Sequence, residues 1–424
     1  MTPGAPAVEL LTIGDELLLG DRVDTNSAWL ARRLGAEGIR VARRATVGDD
    51  EAAIADAVRD ALGRTGGVLC TGGLGPTADD LTRPAVARVF GRTLRVDEDV
   101  LAAIRARFAR LGREMPESNR VQAEVPAGAT VLPNAWGTAP GLALEDDAGR
   151  FAILLPGVPH EMKRLVDAHV LPYLRRRWPA AGRPIVSRIL RTTGIAESAV
   201  AERVADLAAT FRPLTVAYLP GFAGVDLRLT SWGALDADAA TRRLDEAEAA
   251  LRERLHGFVY GTDDDDLAAV VGAELKRRGL TLAVAESCTG GLIAKRMTDA
   301  PGASAYVLAG IVTYSNDSKR ALLGVRPETL ATHGAVSEET VREMAEGALR
   351  VVGADYAIAV SGVAGPGGGS PEKPVGTVWV CVAGAGRTEP RLLRLPGDRE
   401  EVRERAAQAA IALLWRHLGE EERP

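Results

Sequence analysis

The chain is poor in the residues that build metal clusters and disulfide frameworks. Its 424 residues include five histidines and three cysteines. Cys70, Cys288 and Cys381 lie far apart with no Cys-x-x-Cys pair. Neither a zinc site nor a disulfide set is expected, and the reading is a reducing compartment. No stretch approaches the roughly 18 uninterrupted apolar residues of a membrane span. The opening Met1-Thr-Pro-Gly-Ala-Pro has no basic segment and no long apolar run, so the expectation is a cytoplasmic protein with no membrane partner. A basic footprint is missing too. The net charge is −5 and the pI about 5.8, which argues against direct nucleic-acid binding. If the substrate carries phosphate, a metal ion or oriented backbone N–H groups must supply the positive field. Aromatic residues are only 4% whereas glycine numbers 46. That balance favours compact α/β architecture with many tight strand–helix turns.

What is present is ordinary for folded protein: 46% hydrophobic and 26% charged residues. At roughly 100–200 residues per domain the length suggests two to three domains. We divide the chain into residues 1–175, 184–262 and 265–424. In the first, strands at Val8–Ile13, Val68–Thr71 and Phe151–Leu155 alternate with helices at Asn26–Gly35, Glu51–Leu62 and Glu161–Leu174, implying a mostly parallel sheet. The middle reads as a small α+β module: strands Ile185–Thr192, Leu214–Leu219, Val225–Ser231 and Phe258–Tyr260, with helices Glu197–Ala208 and Ala237–Leu255. The last part has strand candidates Leu280–Ala285, Val307–Tyr314, Tyr356–Ser361 and Val375–Val382. A final helix follows, for which Asp398 and Glu401 form a capping box and Val402, Ala406, Ile411 and Leu414 face inward.

Three segments of the first part are dense in turn and polar residues. They are Ile13-Gly-Asp-Glu-Leu-Leu-Leu-Gly20 with Asp24-Thr-Asn26; Thr71-Gly-Gly-Leu-Gly-Pro-Thr-Ala-Asp-Asp80; and Asn134-Ala-Trp-Gly-Thr-Ala-Pro-Gly141 with Pro156-Gly-Val-Pro-His-Glu161. Each sits where a βα turn gathers ligands in a parallel sheet. Glycines such as Gly72, Gly73 and Gly137 let backbone approach a phosphate, and Thr71, Asn134 and Thr138 supply polar contacts. Asp15, Glu16, Asp79 and Asp80 are hard oxygen ligands suited to a divalent cation. Asp80 also pairs with Thr77 as a capping box, and Asp79 and Asn26 suit helix starts. No Gly-Lys-Ser/Thr follows, so this is not a Walker A loop.

These motifs, 71–82 above all, resemble the N-terminal domain of the CinA family, which is similar to the MoaB/MogA fold. The resemblance covers about the first 175 residues. It implies metal-dependent hydrolysis of a dinucleotide pyrophosphate, typically ADP-ribose, to AMP and ribose 5-phosphate, with Mg2+ or Co2+. Carried over by motif, Asp15, Glu16, Asn26, Asp79, Asp80 and Glu161 would surround substrate and metal. His160 stands where the family often has Arg and is given no role. The middle module resembles the KH-type element of the family. Its Thr193-Gly-Ile-Ala-Glu-Ser198 lacks the second Gly of a GxxG loop, so we read a spacer or dimer element and expect a homodimer.

In the third part, Ala285-Glu-Ser-Cys-Thr-Gly-Gly291 places Ser287, Cys288 and Thr289 at a strand end and helix start. The N–H groups near Thr289, Gly290 and Gly291 are positioned for an oxyanion or phosphate. The other loops are Pro301-Gly-Ala-Ser-Ala-Tyr306, Val312-Thr-Tyr-Ser-Asn-Asp-Ser-Lys319 and Ser361-Gly-Val-Ala-Gly-Pro-Gly-Gly-Gly369. Only His333 lies near such a loop, so a Ser–His–Asp triad is not supported. A Ser–Lys arrangement is: a desolvated Lys319 activates a serine hydroxyl near neutral pH. The four segments resemble the C-terminal CinA domain. They imply an amidase converting nicotinamide mononucleotide to nicotinate mononucleotide and ammonia, without a cofactor. The nucleophile stays open among Ser287, Ser304 and Cys288. Ser287 is favoured because it ends a strand, whereas a strand's length at ~3.3 Å per residue separates Ser304 from Lys319 within one chain. Tyr314 would assist proton transfer or stack. Ser361, Gly362, Gly365 and Gly368 suit phosphate or carboxamide binding, and Arg399 a substrate phosphate. The whole chain then reads as a bifunctional pyridine nucleotide salvage enzyme. The alternatives are a non-catalytic molybdopterin- or nucleotide-binding first domain, and action in competence or recombination through a protein partner.

Overall fold

The computed structural model describes residues 6–179, 183–221 and 224–421. Packing divides the chain into two compact units. One runs to Val186 and takes in Ser231–Arg242; the other comprises Ser187–Thr230 and continues from Arg243.

The first unit is built on a six-stranded sheet in the order Arg40–Val47, Ala7–Ile13, Gly67–Thr71, Phe151–Leu155, Gly141–Glu145, Thr130–Leu132. The first four strands run parallel and the last two antiparallel. Gly67–Thr71, apolar up to its last residue, and Phe151–Leu155, apolar throughout, are fully buried, as central parallel strands covered on both faces must be. Their side chains alternate between two cores. Val68, Cys70 and Leu154 pack with Ile54, Val58 and Val86 of one helical layer. Leu69, Ile153 and Leu155 pack with Leu30, Leu34 and Met162 of the other. This puts the turns after Ile13, Thr71 and Leu155 at one end of the sheet. The expected helix Glu161–Leu174 is stepped rather than uniform: Pro159–Leu165, a π turn over Val166–Val170, then Leu171–Arg177. Pro172 lacks the N–H that regular helical bonding would use.

In the second unit a five-stranded sheet has the order Val307–Val312, Leu282–Glu286, Tyr356–Gly362, Thr377–Gly384, Arg387–Arg394. The first three strands are parallel and the last two antiparallel. Helices Leu267–Arg278, Leu292–Thr298 and Arg399–Glu421 cover one face and Glu338–Val352 the other. Val402, Ala406, Ile411 and Leu414 are wholly buried, and Asp398 and Glu401 exchange the expected capping bonds at 2.9 and 3.0 Å. The middle of the chain forms a second, four-stranded sheet in the order Thr215–Pro220, Val225–Trp232, Ile185–Thr192, Val259–Thr262, with helices Glu197–Thr210 and Ala237–Arg254. Asp266, last of four consecutive aspartates from Asp263, caps the helix Leu267–Arg278 through Ala268 and Ala269 N–H. Among the described residues no helix is long and apolar enough to cross a membrane.

Candidate functional sites

The helix Asn316–Leu323 begins at Ser315, whose hydroxyl accepts from Ser318 N–H while Ser318 Oγ accepts from Ser315 N–H. That reciprocal cap fixes the helix phase and turns Lys319 and Leu323, four residues apart on one face, into the core. Lys319 is 1% exposed. Its Nζ donates to Thr313 O at 2.8 Å and lies 3.0 Å from Ser287 Oγ. Ser287 itself is 8% exposed. Its N–H donates to Val360 O of the central strand Tyr356–Gly362, holding it just past the carboxyl end of Leu282–Glu286. Burial pulls the Lys319 amine below the ordinary lysine range, opposed only by nearby Cys288. No carboxylate pairs with it among the described residues. An amine of lowered pKa hydrogen-bonded to a hydroxyl has the arrangement of a nucleophile–base pair.

Of the other two nucleophile candidates, Ser304 lies apart from this pair and Cys288 lies beside it. Ser304 sits in the short turn Ala303–Ala305 before the amino end of Val307–Val312, while Thr313 and Lys319 lie beyond its carboxyl end. The intervening strand keeps them apart within the chain. Cys288 is buried, and that burial pushes its thiol up to about 11; a protonated thiol is a poor nucleophile.

The expected anion cradle is partly occupied by the protein itself. Glu286, fully buried, accepts from the N–H groups of Gly291, Ile293 and Ala294 at 3.0, 3.1 and 2.8 Å. Gly290 N–H donates to Ser287 O. Gly290 and Gly291 are therefore not free to bind an oxyanion. The N–H groups of Cys288 and Thr289 remain without a partner among the described residues. The Thr289 hydroxyl is buried and unpartnered as well.

Tyr314, 61% exposed, accepts from Arg399 Nη2 at 2.9 Å rather than joining the Ser–Lys pair. Arg399 Nη1 holds Gly365 O at 2.7 Å. Arg403, not singled out by the sequence, donates to Thr289 O at 2.8 Å and shares with Arg399, Leu292 and Pro366 a cleft of about 490 Å3. The buried Ser361 hydroxyl donates to Ala335 O at 2.6 Å, so its proton is not available to a substrate. Gly362 is required by packing: a Cβ there would lie 2.6 Å from Val378 Cγ2. Gly365 lies against Val375, and Gly368 is exposed in the same loop.

In the first unit the three sequence segments do converge. Glu16, Gly72, Gly73, Asp79, Asp80, Thr138 and Glu161 line one cleft of about 510 Å3. Gly72 adopts φ +111, and a Cβ on it would lie 2.1 Å from Ile13 O, so only glycine lets the two turns meet. Asn26 is not a cap; Asp24 caps the helix Thr25–Ala36 through Ser27 N–H. Asn26 Nδ2 instead ties Gly157 O at 2.8 Å and Thr71 Oγ1 at 3.3 Å, and Thr71 in turn donates to Pro156 O. Its Oδ1 is buried without a partner.

The five acidic residues do not form one metal-binding set. Asp80 spends both oxygens on the loop, accepting from Gly75 N–H, Thr77 N–H and Thr77 Oγ1 at 2.6, 2.9 and 2.5 Å. Glu161 accepts from Asn134 Nδ2 at 2.7 Å and lies against Gly137. Asp15 accepts from Asp49 N–H, and Asp49 from Asp15 N–H. Among the described residues no three His, Cys, Asp or Glu side chains meet at metal-binding spacing. The donors as placed do not fit a divalent ion. Two cleft residues escaped the sequence reading. Asp49 is held above the usual carboxylate range by burial, with the charges of Asp15, Glu16 and Asp79 adding to it against the pull of Asp15 N–H. Arg22 brings a cation to the same cleft. The buried Arg83 closes the glycine loop from behind, donating to Leu74 O and Gly75 O at 2.8 and 3.1 Å.

The loop Thr193–Ala196 of the middle module packs on the last helix. A Cβ on Gly194 would lie 2.7 Å from Arg416 Nη2, and Gln408 Nε2 approaches Thr193 Oγ1 at 3.3 Å.

Three family models match the chain: a probable molybdopterin binding domain over residues 9–176, the damage-inducible protein CinA KH domain over 187–261, and the CinA C-terminal domain over 264–418. The chain is thus mixed α/β with a MoaB/MogA-like first domain, a KH-like module and a CinA C-terminal domain. It is 52% identical over 415 residues to a CinA-like protein of Gemmatimonas aurantiaca, covering 98% of this chain and 97% of that one. A CinA-like protein of Geobacter metallireducens is 45% identical over 411 residues, covering 96% and 98%. The crystal structure of the competence/damage inducible protein CihA from Agrobacterium tumefaciens is 45% identical, covering 36% of this chain and 93% of that one, with a TM-score of 0.35. With such identity sustained along nearly its whole length, the chain belongs to the CinA family.

Proposed function

We propose that the second unit is an amidase acting on nicotinamide mononucleotide. The observation that carries the reading is the buried, uncharged-prone Lys319 amine 3.0 Å from Ser287 Oγ. In the reaction, Lys319 takes the Ser287 proton as Oγ bonds to the carboxamide carbon. The carbonyl oxygen becomes an oxyanion facing the N–H groups of Cys288 and Thr289. The proton passes from the Lys319 ammonium to the amide nitrogen, the C–N bond breaks and ammonia leaves. Water, deprotonated by Lys319, then opens the Ser287 ester to give nicotinate mononucleotide and restore the hydroxyl. Arg399 and Arg403 meet the substrate phosphate. The test is to incubate the intact chain with nicotinamide mononucleotide and measure ammonia and nicotinate mononucleotide together. Equimolar release supports the reading, and no release refutes it.

For the first unit we propose binding of a nucleoside diphosphate sugar such as ADP-ribose, with hydrolysis to AMP and ribose 5-phosphate. The supporting observation is the convergence of the glycine loop, Thr138 and Arg22 on one cleft, with Asn26 tying Gly157 of its wall. The engaged Asp80 and Glu161 carboxylates favour a second reading, binding without turnover. AMP formation assayed with and without Mg2+ or Co2+ separates the two.

A further inference from the structure

Arg83 lies in the first turn of the helix Thr82–Val89. The partial charge of a helix start favours anions there, not cations. The residue is also only 2% exposed. Burial pulls its pKa down, against the charges of Asp80 and Glu124. Among the described residues no carboxylate forms an ion pair with it, and Asp80 has its oxygens bonded to Gly75 and Thr77. Arginine keeps its proton even when buried. The protein therefore holds a cation without an ion-pair partner beneath the glycine loop, at a cost to stability. Such departures collect at functional sites.

The loop above Arg83 faces the cleft of the first unit. Leu74 and Gly75 line that cleft, and Arg83 does not. Their carbonyls are turned back onto Arg83 at 2.8 and 3.1 Å. Gln122, 2% exposed and also part of the cleft wall, gives Leu74 O a second donor at 3.3 Å and is itself held by Asn119 at 2.8 Å. The N–H groups of Gly73 and Leu74 have no partner among the described residues. The rest of the wall is poor in positive charge. Glu16, Asp49, Asp79, Asp80 and Glu161 line it, and among the described lining residues Arg22 is the one cation. A buried charge is screened far less than an exposed one, so Arg83 raises the potential where the loop meets a ligand.

We propose that Arg83 is a positioning residue for anion binding by the first unit. It fixes the peptide planes of Leu74 and Gly75, and its charge, acting through them, favours a diphosphate in the cleft. The inference rests on the reading of that cleft as a nucleoside diphosphate sugar site.

The test is calorimetric titration of the full chain with ADP-ribose and with inorganic pyrophosphate, beside amide exchange at residues 73–77. Arg83→Gln keeps a donor and loses the charge; it should weaken both ligands by about tenfold or more. Arg83→Lys keeps the charge and should bind within a few-fold of wild type. Unchanged affinity in Arg83→Gln overturns the proposal. Equal weakening in the two variants, with exchange of the loop accelerated in both, reduces Arg83 to a structural prop and overturns the role of its charge. Wild type that binds pyrophosphate but not ADP-ribose refutes the nucleotide-sugar reading alone, and the pyrophosphate comparison then decides on Arg83. Binding of neither overturns both. Should Arg83→Gln not fold, Arg83→Lys decides: retained affinity supports the proposal and lost affinity overturns it.

Discussion

Lys319 Nζ lies 3.0 Å from Ser287 Oγ although 32 residues separate them in sequence. The lysine reaches the serine because its helix is phased by the Ser315–Ser318 cap. The serine is held by the strand pairing that carries Ser287 N–H to Val360 O. Neither residue is placed by its immediate neighbours alone.

Lys319→Met removes the base and keeps much of the volume. Ammonia release from nicotinamide mononucleotide should fall by about 10³-fold or more. The wild type holds an amine away from water with no carboxylate partner, at a cost to stability. Thermal unfolding near pH 7 should therefore show Lys319→Met no less stable than wild type. A melting temperature lower by several degrees would mean the amine is a net stabiliser.

The amine's depressed pKa also sets a pH dependence. The unfolded chain keeps the lysine proton to higher pH than the folded chain does. The burial cost is fully present below the folded value and fades as pH rises toward the ordinary lysine range, so wild-type stability gains on Lys319→Met over that interval. For activity, kcat/KM should rise with pH through the depressed value as the base loses its proton, then level off. A rise that begins only in the ordinary lysine range would exclude an amine base of lowered pKa.

Cys288→Ala should keep turnover within a few-fold. Its thiol is pushed up to about 11 and is almost wholly protonated at neutral pH. Glu286→Gln is expected to behave differently. Its carboxylate accepts three backbone N–H bonds, and an amide NH2 group cannot accept. Losing such buried bonds costs about 1–3 kcal/mol, readable in urea unfolding. Because the same turn carries Cys288 and Thr289, kcat should fall more than KM rises.

Asp80→Ala frees the donors of Gly75 and Thr77. Amide exchange at those residues should accelerate, with a stability loss of about 0.5–2 kcal/mol, as for a lost cap. Asp79 is exposed, and the Thr77 hydroxyl and its own N–H hold its carboxyl below the usual range, so amide exchange of the loop has to be followed in Asp79→Ala too. If Asp79→Ala leaves the loop ordered and abolishes AMP formation from ADP-ribose, Asp79 acts on the substrate. An unchanged rate reduces it to a helix-terminus charge.

The buried strand Phe151–Leu155 was legible in the sequence because its apolar run is unbroken; Ile185–Thr192, only partly buried, also matches residue for residue. Edge strands were not. Arg40–Val47 reads Arg-Val-Ala-Arg-Arg-Ala-Thr-Val and has no wholly buried residue, so no face announces itself. With that strand went Asp49, which follows it and joins the acidic cleft. Arg387–Arg394 contains Pro390, which is tolerated on an edge but argues against a strand in sequence. The glycine-rich loops were visible as turns. Their free and occupied N–H groups were not, since that depends on Glu286 folding back over its own helix start. The spacing of Thr77 and Asp80 points to a helix capping box; the two do bond, but within the loop, and the helix starts only at Thr82 after Leu81 with no side-chain cap.

The account rests on Ser287 as the group that attacks the amide. The most direct measurement is ammonia release from nicotinamide mononucleotide by Ser287→Ala beside Ser304→Ala. The expected result is no turnover above background for Ser287→Ala and a rate within a few-fold of wild type for Ser304→Ala. Turnover retained by Ser287→Ala and lost in Ser304→Ala would contradict it.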